Sequence, residues 1–279
     1  MTTPAHEPGA ASWTATSRDG TPIAATVVGA GPPLVLVHGA AADHTTFRVL
    51  APRLATAWTT HAIDRRGRGR SGDTRPYSIE REFEDVAAVA EALAETNGGP
   101  IDVVGHSYGG RCALGAALRS DAIRRVVSYE GAPTPPGERY GEIGLVEELR
   151  ALERAGTNEL LLETFLRRVV GMGDADLARY RADPVWPRRV EAAPTIVREL
   201  AAEGDPGGPA GLDALGAIRQ PVLQLIGSDS LPTFHQATDA LDARLANGQV
   251  VMLLGAKHAA HHTHPDAVVT ALAAFLTKS

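Results

Sequence analysis

The sequence predicts an α/β fold: a mostly parallel, eight-stranded sheet with helices on both faces and a helical cap inserted after the sixth strand. Two observations carry this. From residue 34 onward, short apolar runs alternate with stretches of helical periodicity, the pattern of a parallel sheet covered on both sides. Between Thr134 and Ala210 the alternation stops, and only helical periodicity remains. A third observation, Gly105-His106-Ser107-Tyr108-Gly109 between a strand and a helix, points to the chemistry.

The elements follow in order. Strands are expected at Ser12–Ser17 and Ile23–Val28, joined by Arg18-Asp19-Gly20-Thr21, an Asp-Gly hairpin signal. Six more strands are expected at Leu34–Val37, Thr59–Ile63, Ile101–Val104, Arg125–Tyr129, Val222–Ile226 and Gln249–Leu254. Leu34–Val37 and Val222–Ile226 are the continuously apolar runs that strands buried on both faces require. Helices are expected at Thr45–Ala55, Ser78–Thr96, Ser107–Arg119, Phe234–Leu245 and Asp266–Leu276. The interrupting segment reads as helices Gly144–Ala155, Glu159–Val170, Ala175–Arg181 and Arg188–Glu203, among turns marked by Pro133, Pro135, Pro136, Pro184, Pro187 and the glycines after Glu203. The chain thus divides into a flexible N-terminus (1–10), a core (11–133 and 211–279) and a helical cap (134–210). Caps of this kind exclude water and shape a pocket.

Composition narrows the function. A chain of 279 residues with 44% apolar content suits one α/β core with an insertion. A net charge of −6 gives no basic footprint, so nucleic acid is not an expected partner. Lys257 and Lys278 are the only lysines, a genomic bias toward arginine. The single cysteine, Cys112, excludes an internal disulfide framework and reads as a small buried residue. No apolar run reaches membrane-spanning length, and Met1–Gly9 lacks a charged-then-apolar signal pattern. A soluble cytoplasmic enzyme acting on a small molecule, without membrane contact, is the expectation. The composition sets no oligomeric state.

Gly-x-Ser-x-Gly between the strand Ile101–Val104 and an Ala/Leu-rich helix is a sharp turn that forces its serine into a sparsely populated backbone conformation. Only small residues fit two positions either side, because strand and helix backbones nearly touch there. The turn lifts the Ser107 oxygen clear of the sheet and sets it at a helix N-terminus, where partial positive charge favours an oxyanion. Ser107 is the candidate nucleophile.

With these pieces the chain resembles the α/β-hydrolase superfamily, in its serine-nucleophile, cap-containing, esterase-like branch, over almost all its length. The matching pieces are the elbow, His38-Gly39 after Leu34–Val37, Asp64-Arg65-Arg66-Gly67-Arg68-Gly69-Arg70-Ser71, the strand Pro221–Gly227 and Gly255-Ala256-Lys257-His258. The resemblance implies that His258, last in chain order, is the general base. It implies backbone amides of Ala40 and Tyr108 as oxyanion donors, and His38 as a residue that orders its loop. The arginine-rich Asp64–Ser71 stretch resembles a structural loop.

The acid has two candidates. The usual superfamily position follows the seventh strand at Gly-x-x-Asp. Here that register reads Gly227-Ser228-Asp229-Ser230, so Ser230 fills the slot and Asp229 comes one residue early. Glu130 ends the sixth strand, where haloalkane dehalogenase-like branches carry their acid. Glu130 is preferred, with Asp229 as the alternative. His258, His261, His262 and His264 crowd seven positions, but without the i, i+4 pair and carboxylate of a zinc helix, so neither a metal nor a cofactor is expected. Tyr108, Tyr140, Phe165, Met172 and Trp186 are candidate pocket walls.

These residues imply a serine hydrolase that cleaves an ester of a small or medium carboxylic acid through an acyl-enzyme. A thioesterase, lactonase, C–C hydrolase or cofactor-free lyase on the same triad is the alternative, as is a low-turnover ligand-binding protein. A serine at the elbow argues against the dehalogenase and epoxide-hydrolase branches, which need aspartate there.

Overall fold

A strand buried inside a parallel sheet presents apolar side chains to both faces, and here two apolar clusters cover them, one on each side. The computed structural model describes residues 10–202, 208 and 210–278. The expected flexible stretch before residue 10, the Glu203 end of the last expected cap helix, and most of the Gly/Pro-rich Glu203–Gly211 turn lie outside the described residues. The eight strands are β1 (Ala11–Thr16), β2 (Pro22–Val28), β3 (Pro33–Val37), β4 (Thr59–Ile63), β5 (Ile101–His106), β6 (Ile123–Tyr129), β7 (Val222–Gly227) and β8 (Gly248–Leu253). Their order is β1-β2-β4-β3-β5-β6-β7-β8. β2 runs antiparallel to β1 and β4, and every other pairing is parallel. The β1–β2 turn forms as expected, with Thr21 N–H donating to Asp19 Oδ1 at 3.0 Å.

The helices in order are α1 (Ala51–Leu54), α2 (Ile79–Asn97), α3 (Tyr108–Ala117), α4 (Leu145–Arg154), α5 (Asn158–Arg168), α6 (Asp174–Arg181), α7 (Trp186–Ala192), α8 (Thr195–Ala202), α9 (Leu212–Leu215), α10 (Pro232–Asp242), α11 (Ala260–Thr263) and α12 (Pro265–Leu276). Val35 and Val37 of β3 face a cluster that includes Phe83 and Val86 of α2, Leu114 of α3 and Leu241 of α10. Leu34 and Leu36, one residue out of phase, face Leu54 of α1 and Leu272 and Phe275 of α12. Helices α4–α8 have an apolar cluster of their own, built on Leu149, Leu162, Phe165, Trp186 and Ile196, which Ala41 joins from the loop after β3.

Two helices differ from expectation, and proline explains one directly. Arg188–Glu203 is not one helix: α7 ends at Ala192 and α8 begins at Thr195. Pro194 between them has no N–H for the ladder and clashes with the preceding turn. Thr45–Ala55 is likewise split, into a 3-10 turn at His44–Phe47 and the short α1. The Asp43 carboxylate accepts the Thr45 N–H at 3.0 Å and starts the first turn, while Pro52 fits only in the first turn of the second.

Ion pairs join α7 and α8 to the core. Arg189, 1% exposed, donates to Asp43 at 2.7 Å, and Arg188 donates to the other oxygen at 2.5 Å. Arg198 Nη1 is shared between the two oxygens of Asp73, at 3.0 and 2.8 Å. The arginines of the Asp64–Ser71 loop face inward: Arg66 pairs with Asp85, and Arg65 pairs with Glu82 and with Glu199 of α8. Burial acts to raise the Glu82 carboxyl, but Arg65 and Arg68 outweigh it and hold the group down at about 2. No helix among the described residues is long and apolar enough to cross a membrane.

Candidate functional site

The site forms where β3, β5 and β6 end. Ala41, Ser107 and Glu130 are the three non-glycine residues with positive φ among the described residues, at 48°, 54° and 49°. One follows each of these three strands. Backbone strain of this kind persists only where the surroundings over-determine it.

Ser107 follows β5 with φ 54° and ψ −127° and begins α3. Its N–H donates to Tyr129 O at 2.8 Å, and its carbonyl accepts the Gly110 N–H at 2.8 Å. The flanking glycines are sterically required. A Cβ on Gly105 would stand 2.3 Å from Gly109 O, and a Cβ on Gly109 would stand 2.3 Å from both Val37 O and His38 O.

His258 lies between β8 and α11. Its Nδ1 meets Glu130 Oε2 at 2.5 Å, with both side chains buried. The carboxylate accepts, so Nδ1 carries the proton and Nε2 is the basic nitrogen. Glu130 Oε1 accepts from Gly227 N–H at 2.9 Å and from the Ser230 hydroxyl at 2.6 Å. Ser230, which fills the slot where the superfamily pattern has its acid, therefore steadies the carboxylate that comes from the neighbouring strand. Asp229 is exposed and turned away. Its carboxylate accepts the Ser228 hydroxyl at 2.8 Å, and its backbone N–H holds Ala256 O at 2.9 Å.

Three residues that the sequence reading passed over fix the histidine loop. The Tyr129 hydroxyl donates to Lys257 O and accepts the Ala260 N–H at 3.0 Å. His106 Nε2–H donates to His258 O at 2.8 Å. The Phe234 ring stacks on the His258 imidazole, with centroids 4.6 Å apart. His106, the second residue of the elbow, is held neutral: burial pushes its pKa well below the usual histidine value, and His258 adds to this. His261 is depressed in the same way, by burial and then by His106 and His262. The only sequence signal for His106, Tyr129 and His261 was their adjacency to Ser107, Glu130 and the histidine run, and Phe234 in α10 had no such signal.

Ser107, Glu130 and His258 line one pocket together with Ala40 and Tyr108, the two residues expected to supply oxyanion amides. Tyr140 and Phe165 also line it, as expected for walls. Trp186 and Met172 do not. They belong to the apolar cluster of α4–α8, because Trp186 heads α7 with its indole N–H donating to Glu159 at 3.0 Å. His38 orders its loop: Nδ1–H donates to Gly39 O at 2.8 Å and Nε2 accepts the Arg65 N–H at 3.0 Å.

The histidine run does not converge on one ligand set. Among the described residues only Asp43, His44 and Asp64 bring metal-ligating atoms together. Their oxygens are already engaged, Asp43 by Arg188 and Arg189 and Asp64 by His44 and the Arg70 N–H. That is a set of satisfied ion pairs, not a cation site.

Comparison with known proteins agrees with this architecture. The model of the Alpha/beta hydrolase family matches residues 34–271. The chain is 28% identical to 2-(acetamidomethylene)succinate hydrolase of Mesorhizobium japonicum, over 89% of each chain. It is also 28% identical to pimeloyl-[acyl-carrier protein] methyl ester esterase of Neisseria meningitidis, over 83% of this chain and 88% of that one. Among solved structures, an alpha/beta hydrolase from Sphaerobacter thermophilus superposes with a TM-score of 0.82 at 33% identity, covering 95% of this chain and all of that one. The family model spans most of the chain, and the chain belongs to the alpha/beta hydrolase family.

Proposed function

We propose that the protein is a serine hydrolase that cleaves an ester of a small or medium carboxylic acid through an acyl-enzyme on Ser107. One observation carries the reading: the 2.5 Å contact of Glu130 with His258 Nδ1, in the pocket that also holds the strained Ser107. That contact leaves Nε2 as the base. In this mechanism Ser107 Oγ attacks the ester carbonyl while His258 Nε2 takes its proton. The Ala40 and Tyr108 amides hold the oxyanion. His258 then returns the proton to the departing alkoxide. Water attacks the acyl-enzyme with His258 again as base, and Ser107 leaves reprotonated with release of the acid. Glu130 stays ionised throughout and stabilises the imidazolium. No step calls for a cofactor.

Helices α4–α8, with residues 134–210 as the cap and 11–133 and 211–279 as the core, would close over this pocket. Their own apolar cluster supports a layer that packs as a unit, and their ion pairs hold that layer against the core. The names of the two curated relatives include a methyl ester esterase and a hydrolase of a substituted succinate, which support hydrolysis of a carboxylic acid derivative.

Ser107→Ala tests the proposal directly. On a panel of p-nitrophenyl acyl esters it should keep the fold and lower kcat by at least about a thousandfold. Turnover near the wild-type value in the purified variant would overturn the mechanism.

A further inference from the structure

The Ala40 N–H belongs to the peptide unit that joins Ala40 to Gly39, so whatever fixes the Gly39 carbonyl also aims that N–H. Carbonyl and N–H lie on opposite sides of a trans peptide. Gly39 O is gripped by two buried donors, His38 Nδ1–H at 2.8 Å and Arg65 Nη1 at 3.1 Å. The loop is also pressed against the elbow: a Cβ on Gly39 would stand 3.0 Å from Ser107 Cβ. The next residue after Ala40, Ala41, is held at φ 48°, and strain of this kind persists only where neighbouring contacts fix the backbone.

Arg65 is built into this grip with its plane fixed. Its Nε and Nη2 hold the Glu82 carboxylate at 2.9 and 2.6 Å, and Nη2 also donates to Glu199 of α8 at 2.6 Å. Nη1 then faces the carbonyls of Gly39 and, at 3.4 Å, His38. The guanidinium carbon lies 4.6 Å from the centroid of the Tyr108 ring. One buried cation therefore touches the Gly39–Ala40 peptide and the side chain of Tyr108, whose amides are the two oxyanion donors of the proposed mechanism. We propose that Arg65 is a positioning residue for the oxyanion. It aims the Ala40 N–H at the reacting oxygen and, by drawing on the Gly39 carbonyl, polarises that peptide into a stronger donor. This rests on the reading of Ser107 as nucleophile and Ala40 as an oxyanion donor.

Two variants and one pair of substrates test it. Arg65→Lys keeps a cation for the carboxylates, but a lysine ammonium cannot span Glu82 and reach Gly39 as well. Arg65→Met combined with Glu82→Gln removes one charge of each sign, leaves Arg68 opposite Glu199 and keeps an oxygen for the Tyr77 hydroxyl. It stands in if the lysine variant fails to fold. The substrates are a p-nitrophenyl ester and its thionoester, in which sulfur, a weak acceptor, replaces the carbonyl oxygen. Active sites are counted by the p-nitrophenol released from a p-nitrophenyl phosphonate. Losing an oxyanion donor outright costs about 10²–10³ in kcat, and misaiming one costs less. In each variant kcat on the ester should fall about tenfold or more, with KM within about threefold of wild type. The ester-to-thionoester ratio of kcat/KM should shrink by about fivefold or more, because the thionoester has less to lose.

A merely structural role gives a different pattern. It would lower the melting temperature or the number of titratable sites and slow both substrates alike, and an unchanged ratio would overturn the proposal. So would an ester kcat within about threefold of wild type in a folded variant. Failure of the Ser107 reading is separately visible. Wild type would then release no p-nitrophenol from the phosphonate, or peptide mass analysis would find the label on another residue, and both proposals would fall together. If wild type is labelled on Ser107 and the ratio survives in the variants, only the Arg65 assignment falls.

Discussion

Replacing Glu130 by glutamine reverses a proton. In the wild-type site Oε2 accepts from His258 Nδ1–H at 2.5 Å, while Oε1 accepts from Gly227 N–H at 2.9 Å and the Ser230 hydroxyl at 2.6 Å. Glutamine offers one acceptor and one donor. The Gly227 backbone N–H cannot turn away, so the amide oxygen stays on it, and the NH2 is left facing His258. Nδ1 must then accept, and the proton moves to Nε2, the nitrogen that should take the serine proton. The Ser230 hydroxyl rotates and is no obstacle. The negative charge that would stabilise the imidazolium is lost at the same time. The corresponding amide substitution in the serine-protease triad costs roughly 10⁴ in kcat. A partly adaptable loop sets a lower bound of about a hundredfold, so the expected loss of transition-state stabilisation is about 2.7–5.4 kcal/mol. Asp229→Asn should cost less than about tenfold, since that carboxylate is exposed and, among the described residues, bonded only to Ser228. The assay is steady-state hydrolysis of a p-nitrophenyl ester. Nitrogen-15 NMR of the imidazoles reports the tautomer, and circular dichroism checks the fold. A Glu130→Gln enzyme within tenfold of wild type beside a crippled Asp229→Asn would refute the reasoning about the acid while leaving Ser107 untouched.

The elbow was legible because it is local: five contiguous residues in a strand–turn–helix setting leave little freedom for Ser107. The choice between Glu130 and Asp229 was not local. It depends on how two loops from adjacent strands turn at their ends, and the features that favour Glu130 are tertiary: its positive φ and the Ser230 hydroxyl on its Oε1. A hydroxyl in the acid's usual slot was a usable signal, since it suits a carboxylate arriving from next door. Tyr129 read as an ordinary strand residue because its partners, Lys257 and Ala260, lie more than a hundred positions away. Glu199 was hidden for the same reason, although three buried arginines between Asp64 and Ser71 demanded acids from somewhere. The split at Pro194, by contrast, was in plain view. Amphipathic periodicity on both sides masked a residue whose backbone chemistry forbids continuity.

Two further expectations concern the histidine loop and its neighbours. Tyr129→Phe removes the hydroxyl that bridges Lys257 O and Ala260 N–H, so urea unfolding should show a loss of about 1–3 kcal/mol, with kcat falling more than KM rises. Unchanged stability and turnover would mean the loop is held by Glu130 and His106 alone. The second expectation is a loss of stability in mild acid, and its sign follows from the buried imidazoles. His106 and His261 are held well below the ordinary histidine value by burial first, and His262 is pushed down to about 4 from 6.5 by burial and then by Arg48 and Arg189. Below about pH 6.5 the unfolded chain binds protons at these positions and the folded chain does not, so stability is full above that pH and falls as the pH drops. For His262 the fall continues to about pH 4 and is worth about 3 kcal/mol at most. The paired carboxylate of Glu82, held at about 2, loses its contribution only in stronger acid, so the two windows separate. The urea midpoint should therefore decline between about pH 7 and pH 5, and His262→Gln should flatten part of that slope. A midpoint that stays constant across this range in wild type would show that these imidazoles are charged, or reachable by water, in the folded protein.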